Sequence, residues 1–207
     1  MDPQANLPPA PSGLLEQWVP DGRGKSALDL GAGEGHGAAW LAQRGYQVLA
    51  LEPDLQRAQI LSQRCEGLPV QVVQMCVQDF PFHPQAYDLI VALAVLHFLL
   101  PTEIWTLADQ LTAALRPGGT LLAQVYTTDD PGFHTLQQAG LEQVEPNTFS
   151  APAPVGTIQY FESEELCRVF APLEVLHYEE ARLHDPDSWA GYRAGATFVG
   201  KVAANRS

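Results

Sequence analysis

Residues 29–35 combine a carboxylate with three alternating glycines, in the order Asp29-Leu30-Gly31-Ala32-Gly33-Glu34-Gly35. An apolar run precedes them, so the pattern predicts a short strand, a tight turn and then a helix. Glycine adopts backbone conformations that other residues avoid, and it lets a ligand approach the main chain closely. The segment therefore has the composition of a nucleotide-facing turn in a doubly wound α/β sheet.

Two details of this turn distinguish between nucleoside cofactors. The sixth position of the dinucleotide pattern G-x-G-x-x-G is His36 and not glycine. Asp29 stands just before the turn, where a carboxylate favours a ligand with a positively charged amine. Both details favour S-adenosylmethionine, which carries a sulfonium and an ammonium group, over a pyrophosphate dinucleotide. We expect cofactor contacts from Asp29, Gly31, Ala32 and Gly33.

Acids and an aromatic residue follow the next two predicted strands. Glu52 and Pro53 come directly after the strand 47–51. An acid at this place in such a sheet binds ribose hydroxyls, and the alternative is a solvated residue at the start of a helix. Asp79 can accept a hydrogen bond from an adenine amino group while Phe80 covers the ring. The alternative for this pair is a loop acid beside a core aromatic.

Ala94 and His97 lie in the segment after the fourth predicted strand, at the edge where doubly wound folds bind ligands. His97 is a candidate base or substrate contact, because imidazole titrates near neutral pH. A hydrogen-bonded packing residue is the alternative. His184 lies near the final predicted hairpin. The six histidines form no pair at the spacing of a metal site, so we expect no metal ion.

Strands and helices alternate along the chain. Apolar runs predict strands at 27–30, 47–51, 70–76, 87–93, 120–126, 173–181 and 196–202. Amphipathic segments predict helices at 14–19, 35–44, 54–65, 102–115 and 162–170, with Asp54 and Thr102 as caps. The alternation predicts an α/β fold with a doubly wound, Rossmann-like and mostly parallel sheet of seven strands.

The domain organisation follows from length and composition. Residues 1–12 are rich in proline, which predicts a flexible leader. Residues 13–207 predict a single domain that ends in a hairpin with a turn at 185–187. The region 127–160 has no clear period, and we interpret it as a lid-like insertion, with a binding loop or disorder as alternatives.

Composition also limits the partners and the location. The net charge is −13, and the eleven Lys and Arg residues form no run, which argues against nucleic acid and anionic membranes. A small molecule is the expected partner. No apolar run reaches membrane-spanning length, and the first residues lack the pattern of a secretion signal. Three cysteines without a C-x-x-C pair favour a reducing cytoplasm.

The chain resembles class I S-adenosylmethionine-dependent methyltransferases over residues 26–126. The segments that carry the resemblance are Leu28–Gly35, Glu52, Asp79, Tyr87–Ile90 and Leu115–Gly119. The resemblance implies a seven-stranded sheet with an antiparallel last strand and S-adenosyl-L-methionine as the cofactor. It also implies cofactor contacts at Asp29, Gly31, Gly33, Glu52, Asp79 and the segment after the fourth strand.

A weaker similarity, carried by residues 95–99 and 177–184, is to the tellurite-resistance type of small-molecule methyltransferases. These enzymes are expected to methylate chalcogen oxyanions or small thiols, with a His-Arg pair near the final hairpin. His184 fits this pattern, whereas Asp185 stands where the arginine would be. An adjacent carboxylate repels the oxyanion that a guanidinium would hold.

The main hypothesis is a cytoplasmic methyltransferase that acts on a small-molecule acceptor, as a monomer or weak homodimer. Its candidate catalytic residues are His97 and His184. The first alternative is a nicotinamide-dependent oxidoreductase built on the same sheet. The second is a protein that binds S-adenosylmethionine without catalysing transfer.

Overall fold

A computed structural model describes residues 13–151, 156–184 and 190–204, with only the backbone of residues 183 and 184. The predicted leader 1–12 and the predicted turn 185–187 lie outside these ranges. The strands are β1 (Ser26–Leu30), β2 (Gln47–Leu51), β3 (Val70–Val73), β4 (Tyr87–Leu93), β5 (Leu115–Tyr126), β6 (Gln143–Glu145), β7 (Thr148–Ser150), β8 (Thr157–Gln159), β9 (Glu174–His184) and β10 (Tyr192–Lys201). The helices are α1 (Gly13–Trp18), α2 (His36–Gln43), α3 (Leu55–Arg64), α4 (Pro101–Ala114), α5 (Pro131–Gln138) and α6 (Glu165–Val169). Short 3₁₀ turns occupy Val77–Asp79 and Leu96–Phe98.

Seven strands form the main sheet, in the order β3-β2-β1-β4-β5-β10-β9. The strands from β3 to β5 are parallel, and β10 runs antiparallel to both β5 and β9. The predicted fold class, with its antiparallel last strand, is confirmed. The strand order reverses between β1 and β4, and ligands of doubly wound sheets bind beside the carboxyl ends of the strands at that point.

Apolar side chains cover both faces of the sheet, as a parallel sheet requires. Leu28, Ile90 and Phe198 belong to the core cluster on the face that α4 and α6 cover. Ala27 and Val91 belong to the cluster on the opposite face, which α1 and α2 cover. With both faces buried, a ligand can bind only beside an edge of the sheet, and the reversal of strand order favours the carboxyl edge.

Helix α4 begins one residue earlier than the sequence predicts. Leu100 is its cap residue, and the Leu100 N–H donates to the Glu103 carboxylate at 2.8 Å. Pro101 suits the first helical position because its φ is fixed and no N–H is left without a partner. The prediction that Thr102 caps this helix is therefore wrong. The cap predicted for α3 is confirmed, since Asp54 Oδ1 accepts the Arg57 N–H at 2.8 Å.

The insertion between β5 and α6 is folded where it is described. It contains α5 and a small antiparallel sheet in the order β6-β7-β8. Phe133, Phe149 and Tyr160 pack edge to face with ring centroids 5.3 to 6.1 Å apart. Disorder, one of the alternatives for this region, is wrong for the described residues, because three aromatic side chains give the insertion a core of its own. Its role as a lid stays a prediction.

Candidate functional site

The turn between β1 and α2 forms the centre of the site. Gly33 has a φ of 57°, and a Cβ at this residue would meet no atom within 4 Å. A Cβ on Gly35 would lie 2.2 Å from Leu61 Cδ1 on α3. Gly33 is thus open to a ligand that approaches the main chain, whereas Gly35 is required for the packing of α2 against α3. The Ala32 N–H donates to the Leu51 carbonyl at 2.8 Å and anchors the turn to β2.

Glu52 joins this turn to the next one. Its side chain is buried, with Oε2 accepting the Gly33 N–H at 2.8 Å and Oε1 accepting the Asp54 N–H at 3.0 Å. Each carboxylate oxygen has a second lone pair, so the group can still accept from ribose hydroxyls. Pro53 is exposed directly beside it. Glu52 therefore fixes the loop geometry and remains able to contact a nucleoside.

Asp29 lies at the end of β1 and is 6% exposed. Its Oδ2 is 3.1 Å from the place where a Cβ on Gly37 would be, so the carboxylate lies against the first turn of α2. Burial, and then the charge of Glu52, raises the Asp29 pKa to about 7. A pyrophosphate at the start of α2 would meet this carboxylate at close range, whereas a cationic ligand would favour its ionised form.

The segment after β4 packs against the glycine turn. Ala94 has a φ of 56°, a left-handed conformation that is uncommon for a residue with a Cβ and that recurs at ligand sites. Its N–H donates to the Gln124 carbonyl at 3.0 Å. Val95 Cγ2 is 2.9 Å from the place of a Cβ on Gly31, so Gly31 admits a close approach of this segment. The turn after β1 and the segment after β4 therefore meet.

Asp79 and Phe80 also lie near this edge of the sheet, after β3. Asp79 is exposed at the end of a 3₁₀ turn. Phe80 is half-buried and packs edge to face against Phe82, with ring centroids 5.0 Å apart. An exposed carboxylate next to an aromatic ring is compatible with adenine binding, and the core-packing alternative holds for part of the Phe80 ring.

His97 is fully buried in the 3₁₀ turn Leu96–Phe98. Its ring stacks on Tyr126 at 4.2 Å between centroids and meets Phe98 edge-on at 4.4 Å. Among the described residues, neither ring nitrogen has a hydrogen-bond partner. Burial, and then the nearby charge of Arg193, lowers the His97 pKa to about 3. The imidazole is thus neutral at physiological pH.

Asp130 and Arg193 extend the site beyond Tyr126. Arg193 Nη1 lies 3.3 Å from Asp130 Oδ1, and its guanidinium carbon lies 5.1 Å from the centroid of the Tyr126 ring. Asp130 is fully buried and also accepts the N–H groups of Gly132 and Ala194, at 2.7 and 2.9 Å. One carboxylate thus caps α5, anchors β10 and pairs with the arginine.

The sequence did not predict this cluster, although it carries local signals for parts of it. The pair Asp130-Pro131 is a typical helix start, with Asp at the cap and Pro at the first position. Tyr126 ends β5 at the carboxyl edge. The contact between Asp130 and Arg193 joins residues far apart in the chain, and no local pattern contains it.

The structure places the side chain of one candidate catalytic histidine and only the backbone of the other. The structure brings His97 next to the segment that packs against the glycine turn. The backbone of His184 pairs with Tyr192 in the hairpin of β9 and β10, and its side chain lies outside the described residues. Among the residues that the structure describes, no group of three or more His, Cys, Asp or Glu side chains could hold a metal ion.

A cavity of about 700 Å³ opens between α5 and the hairpin of β9 and β10. Its lining carries charges of both signs, from Asp129, Glu180 and Arg182. The Arg182 guanidinium stacks over the Tyr192 ring, with its central carbon 4.7 Å from the ring centroid. Within the described ranges, no helix is long and apolar enough to cross a membrane.

Residues 27–119 match a family model described as a methyltransferase domain. The sequence is 29% identical over 146 residues to a tRNA 5-carboxymethoxyuridine methyltransferase of Escherichia coli, covering 65% of this chain and 55% of that protein. It is 32% identical over 137 residues to a trans-aconitate 2-methyltransferase of Deinococcus radiodurans, covering 66% of this chain and 51% of that protein. The chain thus spans about half the length of these curated relatives.

The fold is shared with solved structures of low sequence identity. A S-adenosylmethionine-dependent methyltransferase of Methanosarcina mazei superposes with a TM-score of 0.75 at 17% identity, covering 94% of this chain and 99% of that one. TehB of Haemophilus influenzae superposes with a TM-score of 0.66 at 20% identity, covering 92% of this chain and 60% of that one. Residues 27–119 are thus similar in sequence to methyltransferase domains, and the fold of the described residues is shared with solved S-adenosylmethionine-dependent methyltransferases.

Proposed function

We propose that this class I methyltransferase domain transfers the methyl group of S-adenosyl-L-methionine to a small-molecule acceptor. The observation that carries the proposal is the pair of buried carboxylates, Asp29 and Glu52, on either side of the glycine turn. A cofactor with ribose hydroxyls and positive charge satisfies both. Transfer is an in-line displacement that requires mainly positioning, with a base for neutral acceptors.

Each cofactor-binding residue has a role in this proposal. Glu52 accepts from the ribose hydroxyls, and Asp29 faces the ammonium group. Asp79 and Phe80 bind the adenine ring. Main-chain and close contacts come from five further residues: Gly31, Ala32, Gly33, Pro53 and Ala94.

The charge distribution supports a small acceptor over a nucleic acid. Five of the described arginines are paired with acids: Arg23 with Asp21, Arg64 with Glu34, Arg116 with Asp88, Arg168 with Glu162, and Arg193 with Asp130. The net charge is −13. Phosphate backbones require clustered cations that are available for contact. A tRNA acceptor, suggested by relatives whose names give tRNA as the substrate, is the competing substrate class.

Three finer points stay predictions. The acceptor is a thiol or a chalcogen oxyanion, as the similarity to the tellurite-resistance type implies, and TehB shares the fold. The protein acts in the cytoplasm. It is a monomer or weak homodimer.

Calorimetric titration with S-adenosylmethionine and with NAD tests the cofactor. Binding of the methyl donor without binding of NAD supports the proposal, and the reverse supports the oxidoreductase alternative. Turnover on an acceptor panel, followed as release of S-adenosylhomocysteine, then separates the enzyme from a binding protein without transfer activity.

Replacing His97 by alanine should lower turnover more than it lowers donor affinity. The contact of this side chain is proposed to be with the acceptor or the transition state and not with the bound donor. Steady-state kinetics and donor titration on the same preparation measure the two effects. The same is expected for His184→Ala. A variant that keeps full turnover on the true acceptor would assign that histidine to packing.

Hydrogen exchange tests the insertion as a lid. The small sheet lies against the turn that holds His97, and Thr157 Oγ1 donates to the Phe98 carbonyl at 3.2 Å. If the sheet opens to admit ligands, amides of β6, β7 and β8 should gain protection when the methyl donor is added. High protection without ligand, unchanged by the donor, would show permanently packed structure.

A further inference from the structure

The cavity between α5 and the hairpin of β9 and β10 lies at the carboxyl end of β5, beside the proposed cofactor site. Thr127, which directly follows β5, lines this cavity. It is three residues beyond Gln124, whose carbonyl accepts the Ala94 N–H at 3.0 Å. Thr127 therefore lies about 10 Å from Gln124 along the chain, at the rise of an extended strand. A volume of about 700 Å³ is in the range that holds small molecules, so a ligand in this cavity can reach the segment after β4.

Glu180 gives the cavity a carboxylate that is held in place. Its Oε1 accepts hydrogen bonds from the Tyr178 hydroxyl, from the Glu164 N–H at 2.9 Å and from the Ser163 hydroxyl at 3.0 Å. Burial raises the pKa of this carboxyl, but the three hydrogen bonds outweigh burial and hold the pKa below its ordinary value. Oε2 accepts no hydrogen bond from a residue that the structure describes. Glu180 is thus an ionised, preorganised acceptor with one oxygen left for a ligand.

Arg182 supplies a positive charge to the same cavity. It lies two residues beyond Glu180 on β9, so both side chains project from one face of the strand, with Cα atoms about 7 Å apart. The Arg182 guanidinium stacks over the Tyr192 ring at 4.7 Å, which orients the group and leaves its N–H edges available. Among the described residues, no carboxylate lies within ion-pair distance of it. A guanidinium in this state binds a carboxylate through paired hydrogen bonds.

Asp129 adds a second negative charge to the lining, at the end of the cavity next to β5. It is exposed, and within the described part of the chain it forms no hydrogen bond or ion pair. A ligand with only an anionic group would meet two like charges, and a ligand with only a cationic group would leave Arg182 without a partner. A ligand with both an ammonium group and a carboxylate matches the lining.

We propose that this cavity binds the methyl acceptor and that the acceptor is a zwitterion of the amino-acid type. Its ammonium group contacts Glu180 and Asp129, and its carboxylate contacts Arg182. This inference rests on the proposed function. For a thiol acceptor, a sulfur lone pair forms the bond to the methyl carbon. The bond between that carbon and the sulfonium sulfur breaks, its electron pair stays on S-adenosylhomocysteine, and the thiol proton passes to water. The three charged side chains orient the acceptor and take no part in these bond changes.

Four thiols of matched structure test the charge requirement. L-Cysteine carries both charged groups, cysteamine lacks the carboxylate, 3-mercaptopropionate lacks the ammonium group, and ethanethiol lacks both. L-Homocysteine and glutathione extend the zwitterions to longer skeletons. Because these thiols differ in acidity, affinity is measured by calorimetry with S-adenosylhomocysteine bound, and methylation is measured separately. We expect the best zwitterion to bind at least about tenfold more tightly than each thiol that lacks a charged group, and to be methylated.

The same measurements separate this inference from the proposed function. If no zwitterion binds more tightly than the other thiols, the inference is overturned, and methylation of any of the other thiols leaves methyl transfer intact. Zwitterion binding without methylation of any thiol overturns the acceptor role of the cavity together with transfer to thiols.

Three variants on β9 and α5's neighbouring strand assign the charges. Arg182→Gln should cancel the advantage of L-cysteine over cysteamine, because it removes the partner of the carboxylate. Glu180→Gln keeps an oxygen that accepts from the Tyr178 hydroxyl and removes the charge, so it should reduce the advantage over 3-mercaptopropionate. The matched control is Glu179→Gln, next to Glu180 but on the opposite face of β9, where Glu179 pairs with His177 at 3.6 Å. The control should bind all four thiols as the unmodified protein does. Folded Arg182→Gln and Glu180→Gln proteins with unchanged affinity ratios overturn the assignment.

Discussion

Replacing Glu52 by alanine should weaken the binding of S-adenosylmethionine by about 10- to 100-fold, since a charge-assisted hydrogen bond contributes roughly 1.5–3 kcal/mol. The substitution removes the acceptor for the ribose hydroxyls. It also releases the N–H groups of Gly33 and Asp54, which Glu52 holds at 2.8 and 3.0 Å. The turn after β1 and the turn after β2 then lose their common anchor. Calorimetric titration of the purified proteins measures the change.

Glu34→Ala is the matched control for Glu52→Ala. Glu34 is a glutamate in the same glycine-rich segment, its side chain is 51% exposed, and it pairs with Arg64 at 3.6 Å on the surface. An exposed pair of this kind contributes little to stability. The control should bind the donor as the unmodified protein does. If Glu52→Ala keeps normal affinity while its circular dichroism is unchanged, the cofactor assignment of this residue is wrong.

The turn after β1 could be predicted because its determinants are contiguous in the chain. Strand, glycines and helix follow one another within Ala27–Gln43, and the spacing alone defines the turn. The place of Glu52 could be predicted in the same way, because this residue directly follows the apolar run of β2. The bounds of β2 and β4 agree with their predicted ranges because short apolar runs define them.

The acceptor side could not be predicted in the same way, because long-range contacts build it. The pairing of Asp130 with Arg193 and the stacking of His97 on Tyr126 join separate elements. The fold of the insertion was missed for a related reason. Its hairpin between β6 and β7 turns at Pro146 and Asn147, where Asn147 has a φ of 58°. Its strands are too short to show a period.

The buried carboxylate of Asp29 is expected to favour cofactor binding at the expense of stability. The folded chain raises the Asp29 pKa from 3.8 to about 7, mainly by burial. The folded state therefore holds this proton more tightly than the unfolded state does. The protonated Asp29 side chain therefore contributes to stability below about pH 4. This contribution, about 4 kcal/mol in total, is lost as the pH rises towards the folded pKa. Above neutral pH the buried carboxylate is a net cost.

Replacing Asp29 by asparagine should raise thermal stability at pH 8 and weaken donor binding at the same time. The asparagine amide stays neutral, so the cost of the buried charge disappears. The amide is incompletely hydrogen-bonded, which reduces the gain in the free energy of unfolding to about 2 kcal/mol. That gain corresponds to a rise in Tm of roughly 4–8 °C for a chain of this size. The lost charge should weaken donor binding by about 10- to 100-fold. Calorimetric melting and donor titration measure the two changes.

The pH dependence separates this explanation from a general improvement in packing. In the unmodified protein, donor affinity should rise between about pH 5.5 and about pH 7.5, because a cationic ligand binds better as Asp29 ionises. In the Asp29→Asn protein this rise should disappear, and the gain in Tm should shrink as the pH falls below the folded pKa. Equal stabilisation at pH 5 and pH 8 would contradict the raised pKa. Unchanged donor affinity at pH 8 would contradict the proposed contact between Asp29 and the ammonium group.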